Sequence, residues 1–168
     1  MTVLSKPTQL IAESVGDVFY PRIAENANKK LGITSSIIKA TLILSALGVI
    51  PFSVIIIFGP GLFEFTFGNE WARAGEYARW IAVWSFFMFI NRPVVRSLQV
   101  ISEQLFHLKF TLIVTFVRII TLSLSLYFFE NELASIAIYG IIGGISNLFL
   151  IFMTLIKTRR FDVKNLRA

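Results

Sequence analysis

Long runs of apolar residues, separated by short polar segments, dominate the pattern of this chain. Residues 40–63 and 133–156 contain no Asp, Glu, Lys or Arg, and residues 110–129 contain only Arg118. A helix of about 20–24 residues is roughly 30–36 Å long, which matches the hydrocarbon core of a bilayer. We therefore predict an all-α membrane protein with four spans at about 40–63, 80–101, 110–129 and 133–156.

The polar segments contain the predicted helix breaks. Pro51 predicts a kink near the middle of the first span, and the Gly-Pro-Gly sequence at residues 59–61 predicts the end of its helix. The second helix is predicted to run over about 72–101 and to be followed by a polar hairpin at 102–109. A tight acidic turn at 130–132 separates the last two spans.

The N-terminal segment differs from the spans because it is charged and amphipathic. Apolar residues recur at helical spacing between Pro7 and Pro21, where the pattern ends. The segment is too charged to cross a membrane alone. Two interpretations stay open: it lies on the membrane surface, or it is the end of a spanning helix.

Composition and charge agree with a membrane protein. The chain is 55% hydrophobic and has a mean hydropathy of +0.73. It has no Cys and one His, which excludes disulfides and predicts no metal site or cofactor. The net charge of +6 lies mostly in the gaps between apolar runs, which indicates membrane topology rather than nucleic-acid binding.

The distribution of Lys and Arg predicts the orientation. Eleven of these residues lie in segments 1–39, 97–109 and 157–168, whereas segments 59–79 and 130–132 contain two between them. Cytoplasmic loops are the ones enriched in Lys and Arg. We therefore predict that both termini are cytoplasmic, which an even number of spans allows, and that the chain forms a single transmembrane domain.

Three arginines are the candidate substrate-binding residues. Arg92 and Arg96 fall in the second half of the second predicted span, and Arg118 lies roughly 14 Å beyond Lys109 along the third. A charge at that depth normally faces a protein interior or a wet cavity. For Arg92 and Arg96 the alternatives are snorkelling and structural pairing. For Arg118 the alternative is an ion pair with an acidic residue from another segment.

The polar neighbours of these arginines predict which helix faces turn inward. Gln99 and Glu103 follow Arg96 at helical spacing, so the four-residue face that begins at Arg92 is predicted to be polar. In the third span, polar residues share a face with Arg118 that is predicted to point away from lipid. These residues are Thr111, Thr115 and Ser125.

Gly140 and Gly144 form a GxxxG pair in the last span. Such pairs let two helices approach closely, so we predict a packing role for both glycines, as for Pro51. The chain shows no catalytic grouping of side chains, and we expect that it is not an enzyme.

Residues 59–77 carry a recognisable motif. They read GPGLFEFTFGNEWARAGEY, and residues 18–23 read VFYPRI. Both stretches resemble bacterial polysaccharide flippases, which are the O-antigen and exopolysaccharide translocases of the multidrug/oligosaccharidyl-lipid/polysaccharide exporter superfamily. The similarity covers most of the chain and is to the C-terminal part of those proteins.

The resemblance implies a function and a set of partners. Flippases of this family have two helical lobes around a central cavity. They move undecaprenyl-diphosphate-linked oligosaccharide across the bacterial inner membrane for polysaccharide biosynthesis. This chain would supply part of one lobe, with N-terminal helices of the same transporter as partners and a lipid-linked oligosaccharide as substrate. Its diphosphate is a ligand suited to arginine.

Two other functions remain open on the sequence. One is a membrane scaffold that does not transport and binds partner helices through Gly140, Gly144 and the arginines. The other is a multidrug-type exporter of the same superfamily, for which acidic residues inside the membrane are expected, whereas the deep charges here are positive.

Overall fold

The computed structural model describes Pro21, Ile23, Glu25, Asn26 and residues 31–167. The amphipathic pattern predicted after Pro7 therefore lies outside the described residues, except at its end.

Helices make up every regular element in the described part of the chain. These are α1 (Thr34–Phe67), a short 3-10 helix (Asn69–Trp71), α2 (Ala72–Ile90), α3 (Arg92–Val100), α4 (Gln104–Phe129) and α5 (Glu132–Arg167).

Three of these helices, α1, α4 and α5, are long and apolar enough to cross a membrane. In the most apolar window of each, only 22%, 11% and 22% of the residues are buried. Large apolar side chains point outward along all three; Ile50, Phe116 and Ile145 are 70%, 68% and 61% exposed. Soluble monomers do not expose apolar surface continuously in this way. The prediction of an all-α membrane protein is confirmed.

The α1 helix passes through both of its prolines, so the prediction that residues 59–61 end it was wrong. Proline at position 60 removes one backbone hydrogen bond, which a membrane helix tolerates when nearby groups satisfy the freed carbonyls. Pro60 frees the carbonyl of Ile56, and Arg79 Nη2 donates to the next carbonyl, that of Ile57, at 3.1 Å. The helix ends instead at Phe67, and Gly68 follows with a φ of 102°, which suits glycine.

The predicted helix over 72–101 is divided into α2 and α3 by a turn at Asn91. Pro93 lies in the first turn of α3, where its missing N–H costs nothing. Neither piece qualifies as a span alone, and a fourth crossing at 80–101 stays a prediction. The hairpin is shorter than predicted, since α4 already begins at Gln104.

The last helix continues well beyond its predicted span, because the basic tail after Ile156 is helical as far as Arg167. At about 1.5 Å per residue, this helix of 36 residues is roughly 54 Å long. It therefore exceeds the thickness of a hydrocarbon core, and its C-terminal turns extend past the apolar run.

The chain divides into two compact units. The first contains the described residues within Met1–Ala46, Phe89–His107 and Phe149–Ala168, and the second contains Leu47–Met88 and Leu108–Leu148. The first unit has a core of Ile23, Ile33, Ile37 and Val94, with further apolar side chains packed around it. In the second unit, Phe52 of α1 meets Phe86 of α2 edge to face, with ring centroids 5.7 Å apart.

Candidate functional site

The guanidinium group of Arg118 lies against two aromatic rings. Its Cζ atom is 4.0 Å from the ring centroid of Trp84 and 3.7 Å from that of Tyr139. The two ring centroids are 5.8 Å apart and the ring planes are inclined by 80°. We call Arg118, Trp84, Tyr139 and Gly143 the Arg118 cage.

Three helices of the second unit supply the cage. Trp84 comes from α2 and Arg118 from α4, while Tyr139 and Gly143 lie one turn apart on the same face of α5. A Cβ atom built on Gly143 would be 2.7 Å from Trp84 Cδ1 and 3.0 Å from Arg118 Cζ. Glycine at this position is therefore what leaves room for the cation beside the indole.

The aromatic rings explain how a charge is tolerated inside a membrane helix. Arginine at the centre of a span costs about 2.5–3.5 kcal/mol on insertion scales. A cation over a desolvated aromatic face gains about 2 kcal/mol. Two such faces offset part of the cost of placing Arg118 in the span.

Two donors of Arg118 remain unsatisfied within the described part of the chain. Its Nε and Nη2 atoms are enclosed by protein and have no hydrogen-bond acceptor there. An unpaired buried donor costs about 1–3 kcal/mol, and more when it is charged. An oxyanion that reached this guanidinium would remove that cost, and phosphate has the geometry for two parallel N–H···O bonds.

The polar face predicted on α4 is only partly turned inward. Arg118 is half-buried and Ser125 is 4% exposed, but Thr111 and Thr115 are exposed. Exposure does not distinguish lipid from a water-filled cavity, so the orientation of the two threonines stays a prediction. Half-buried residues occur along the whole of α4, and Ser125 is its buried residue.

The three candidate arginines are divided between the two units. Arg92 and Arg96 lie half-buried on α3 in the first unit, and Arg118 belongs to the second. Between Arg92 and Arg96, Pro93 and Val94 are buried, and Val94 belongs to the apolar core.

Glu103 was predicted to continue the face of Arg92 and Arg96, but α3 ends at Val100 and Glu103 follows in a turn. Its carboxylate accepts a hydrogen bond from Lys157 Nζ at 2.9 Å. The same ammonium group lies 4.4 Å from the ring centroid of Phe106. Glu103 therefore ties the turn before α4 to α5.

Asp162 binds the N-terminus of α1. One carboxylate oxygen accepts the backbone N–H of Ile33 at 2.9 Å, and the other accepts the N–H and hydroxyl of Thr34 at 3.0 and 2.6 Å. These donors have no partner inside their own helix, and the positive end of the helix dipole favours the carboxylate. The chain thus caps α1 with a residue that lies far away in sequence.

Two of the four glycines within residues 59–77, Gly59 and Gly75, meet each other at a helix crossing. A Cβ on Gly75 would lie 2.5 Å from the carbonyl oxygen of Gly59 and 2.5 Å from Pro60 Cα. A Cβ on Gly59 would lie 2.7 Å from the carbonyl oxygen of Gly75. The backbones of α1 and α2 therefore touch here, and the motif performs a packing role.

Gly140 and Gly144 also contact α2 of the same chain. A Cβ on Gly140 would lie 2.5 Å from the carbonyl oxygen of Trp80, and a Cβ on Gly144 would lie 2.9 Å from the Phe87 ring. Close approach along this face brings α5 against α2 on both sides of the cage. The GxxxG pair thus positions the helices that carry Trp84 and Tyr139.

A polar cluster lies at the start of α2 and α5. Tyr77 donates its hydroxyl to Glu132 at 2.6 Å, and Arg73 contacts both side chains at 3.0 and 3.3 Å. The hydrogen bond to Glu132 is the main cause that raises the pKa of Tyr77. Asn131 caps α5 by accepting from two backbone N–H groups. The cluster is exposed, so it connects two helix ends rather than forming a binding pocket.

Within the described ranges, no group of three or more His, Asp or Glu side chains is placed to hold a metal ion. Comparisons with protein-family models, curated proteins and solved structures found no match for this chain.

Proposed function

We propose that this chain is part of a transporter that moves an anionic, lipid-linked oligosaccharide across a membrane. The observation that carries the proposal is Arg118, a cation inside a candidate spanning helix. It is held by aromatic rings and has two N–H donors without an acceptor in the described chain. The motif of residues 59–77 supports the flippase assignment by resemblance.

The chemistry of the substrate fits a caged arginine. The rings hold the cation without neutralising it, and an anion reaches its enclosed Nε and Nη2 atoms when the surrounding side chains move aside. A diphosphate offers several oxygens to the planar guanidinium. In the proposed transporter, Arg118 binds the diphosphate during passage, Trp84 and Tyr139 position it, and further helices complete the cavity. The membrane is the bacterial inner membrane, with both termini on the cytoplasmic side.

The scaffold alternative has less support. Gly140 and Gly144, which would have bound partner helices, are used for contact with α2 of the same chain. A multidrug-type exporter remains a second candidate from the same superfamily, but the charge inside its predicted spans is expected to be acidic.

Binding of a lipid diphosphate tests the proposal. The purified chain in detergent is titrated with undecaprenyl diphosphate and, in parallel, with undecaprenol, which lacks the phosphates. Arg118→Gln should weaken diphosphate binding at least tenfold, because a charge-assisted hydrogen bond is worth about 1.5–3 kcal/mol, and should leave undecaprenol binding unchanged. Arg118→Lys should bind the diphosphate with an affinity between those of the wild type and Arg118→Gln, since lysine keeps the charge but loses the planar fork.

Gly61→Ala is the matched control, because a Cβ there meets no atom within 4 Å. It should bind like the wild type. Equal diphosphate binding by wild type and Arg118→Gln would overturn the proposed role. If Arg118→Gln lost helicity in step with binding, the residue would be structural instead. The same variants can be compared for transport in cells that contain the complete transporter. The measurement is the amount of surface polysaccharide, normalised to the abundance of the transporter.

A further inference from the structure

A shallow groove lies near the C-terminal end of α5. It is lined by Ile156, Arg159, Arg160 and Val163. The last three residues follow Ile156 by three, four and seven positions, so all four share one face of the helix. Both arginines are exposed, and Val163 is 46% exposed. The groove thus combines two cations with two apolar side chains on an accessible surface.

The place of the groove along α5 corresponds to the edge of the hydrocarbon core. Residues 133–156 carry no charge, and Lys157 is the first charged residue after them. One turn before the groove, Phe152 is 60% exposed on the same face, whereas Thr154 and Thr158 are fully buried at 0%. The face that meets lipid therefore becomes cationic where phospholipid headgroups begin.

We propose that this groove binds the headgroup of an anionic phospholipid. The guanidinium groups of Arg159 and Arg160 offer paired N–H donors to its phosphate. Ile156 contacts the first carbons of an acyl chain, and Val163, roughly 10 Å farther along α5, lies beside the headgroup. The complementary charge favours a lipid with net negative charge over a zwitterionic one, and each cation near such a headgroup contributes a factor of about five in affinity. This site does not depend on the proposed transport function.

Native mass spectrometry of the delipidated chain measures the site directly. The protein in detergent is titrated with phosphatidylglycerol and, separately, with phosphatidylcholine. Wild type should retain phosphatidylglycerol in preference to phosphatidylcholine. The double variant Arg159→Gln/Arg160→Gln should lower phosphatidylglycerol retention at least fivefold and at most about 25-fold, with phosphatidylcholine unchanged. The double variant Arg159→Lys/Arg160→Lys should keep most of the binding.

The matched control is Lys39→Gln/Lys109→Gln, which removes the same charge from two other exposed positions. Its phosphatidylglycerol retention should fall less than twofold. Circular dichroism should give equal helicity for all variants. Equal losses in both Gln double variants would overturn the site in favour of general charge attraction. Unchanged retention in Arg159→Gln/Arg160→Gln would overturn it too. If the wild type formed dimers and Arg159→Gln/Arg160→Gln did not, the groove would bind a second copy of the chain instead.

Discussion

The crossing of α1 and α2 at Gly59 and Gly75 makes a sharp prediction about stability. Gly75→Ala places a methyl group 2.5 Å from two backbone atoms, whereas ordinary contact begins at 3.4 Å. The helices must therefore separate by ~0.9 Å. The obstructing atoms are a carbonyl oxygen and a Cα, which cannot rotate away as a flexible side chain would.

The size of the effect follows from this overlap. Overpacking costs about 1–3 kcal/mol, and a rigid backbone obstacle favours the upper part of that range. A gap of about 1 Å along the crossing also forfeits up to half of each dispersion contact there. We expect Gly75→Ala to lose about 2–3 kcal/mol despite the gain in helix propensity that alanine brings. For a chain of this size that lowers Tm by about 4–12 °C.

Thermal unfolding in detergent, followed by circular dichroism, measures this loss. Gly61→Ala is the reference variant, because it makes the same change inside α1 at a position where a Cβ meets nothing within 4 Å. It should equal or exceed the wild type in Tm. If Gly75→Ala and Gly61→Ala unfolded at the same temperature, the close crossing would be refuted.

Three further predictions follow from other contacts. Gly144→Leu should lower the folded yield in membranes because its side chain meets the Phe87 ring, whereas Phe149→Leu should keep it; equal yields would contradict the packing role. Asp162→Asn should lower stability by about 1–2 kcal/mol in the same unfolding assay, because one of the two oxygens that accept hydrogen bonds from Ile33 and Thr34 becomes an NH2 group. In whole cells, an impermeant thiol reagent should label Asn69→Cys from outside and leave Asn165→Cys unlabelled; the reverse pattern would refute the predicted orientation.

The spans were predictable because the physics that selects them is local. A hydrocarbon core excludes charge, so charge-free runs of the right length identify α1 and α5, and a run with Arg118 as its only charge identifies α4. The ends of these helices were less predictable, because proline acts differently according to its surroundings. The sequence predicts a helix end at Pro60, which lies inside α1, and a helix interior at Pro93, which lies in the first turn of α3.

The Arg118 cage was found only in part. Sequence identified Arg118 by its depth, but its partners come from two other helices, and pairing between distant segments has no local signature. Trp84 lies only about 6 Å inside the predicted 80–101 span, where tryptophan is common in membrane proteins, so it did not point to a buried cation.

The structure gives the motif of residues 59–77 a packing role that the sequence alone did not predict. Gly59 and Gly75 allow a backbone contact, and Arg79, just beyond the motif, donates to a carbonyl of α1. Both contacts serve helix packing, so the motif indicates how α1 and α2 are arranged. In the proposed transporter, the choice of substrate would depend on charged residues elsewhere, which the motif does not specify.

The contact between Arg118 and Trp84 also gives the protein an optical reporter. Indole emission responds to a nearby charge, and the cation lies 4.0 Å from this ring. The chain has three tryptophans, and replacement of Trp71 and Trp80 by phenylalanine would leave Trp84 as the only emitter. An anion that draws the guanidinium away from the ring would then change the fluorescence, so occupancy of the site becomes visible in real time without a label.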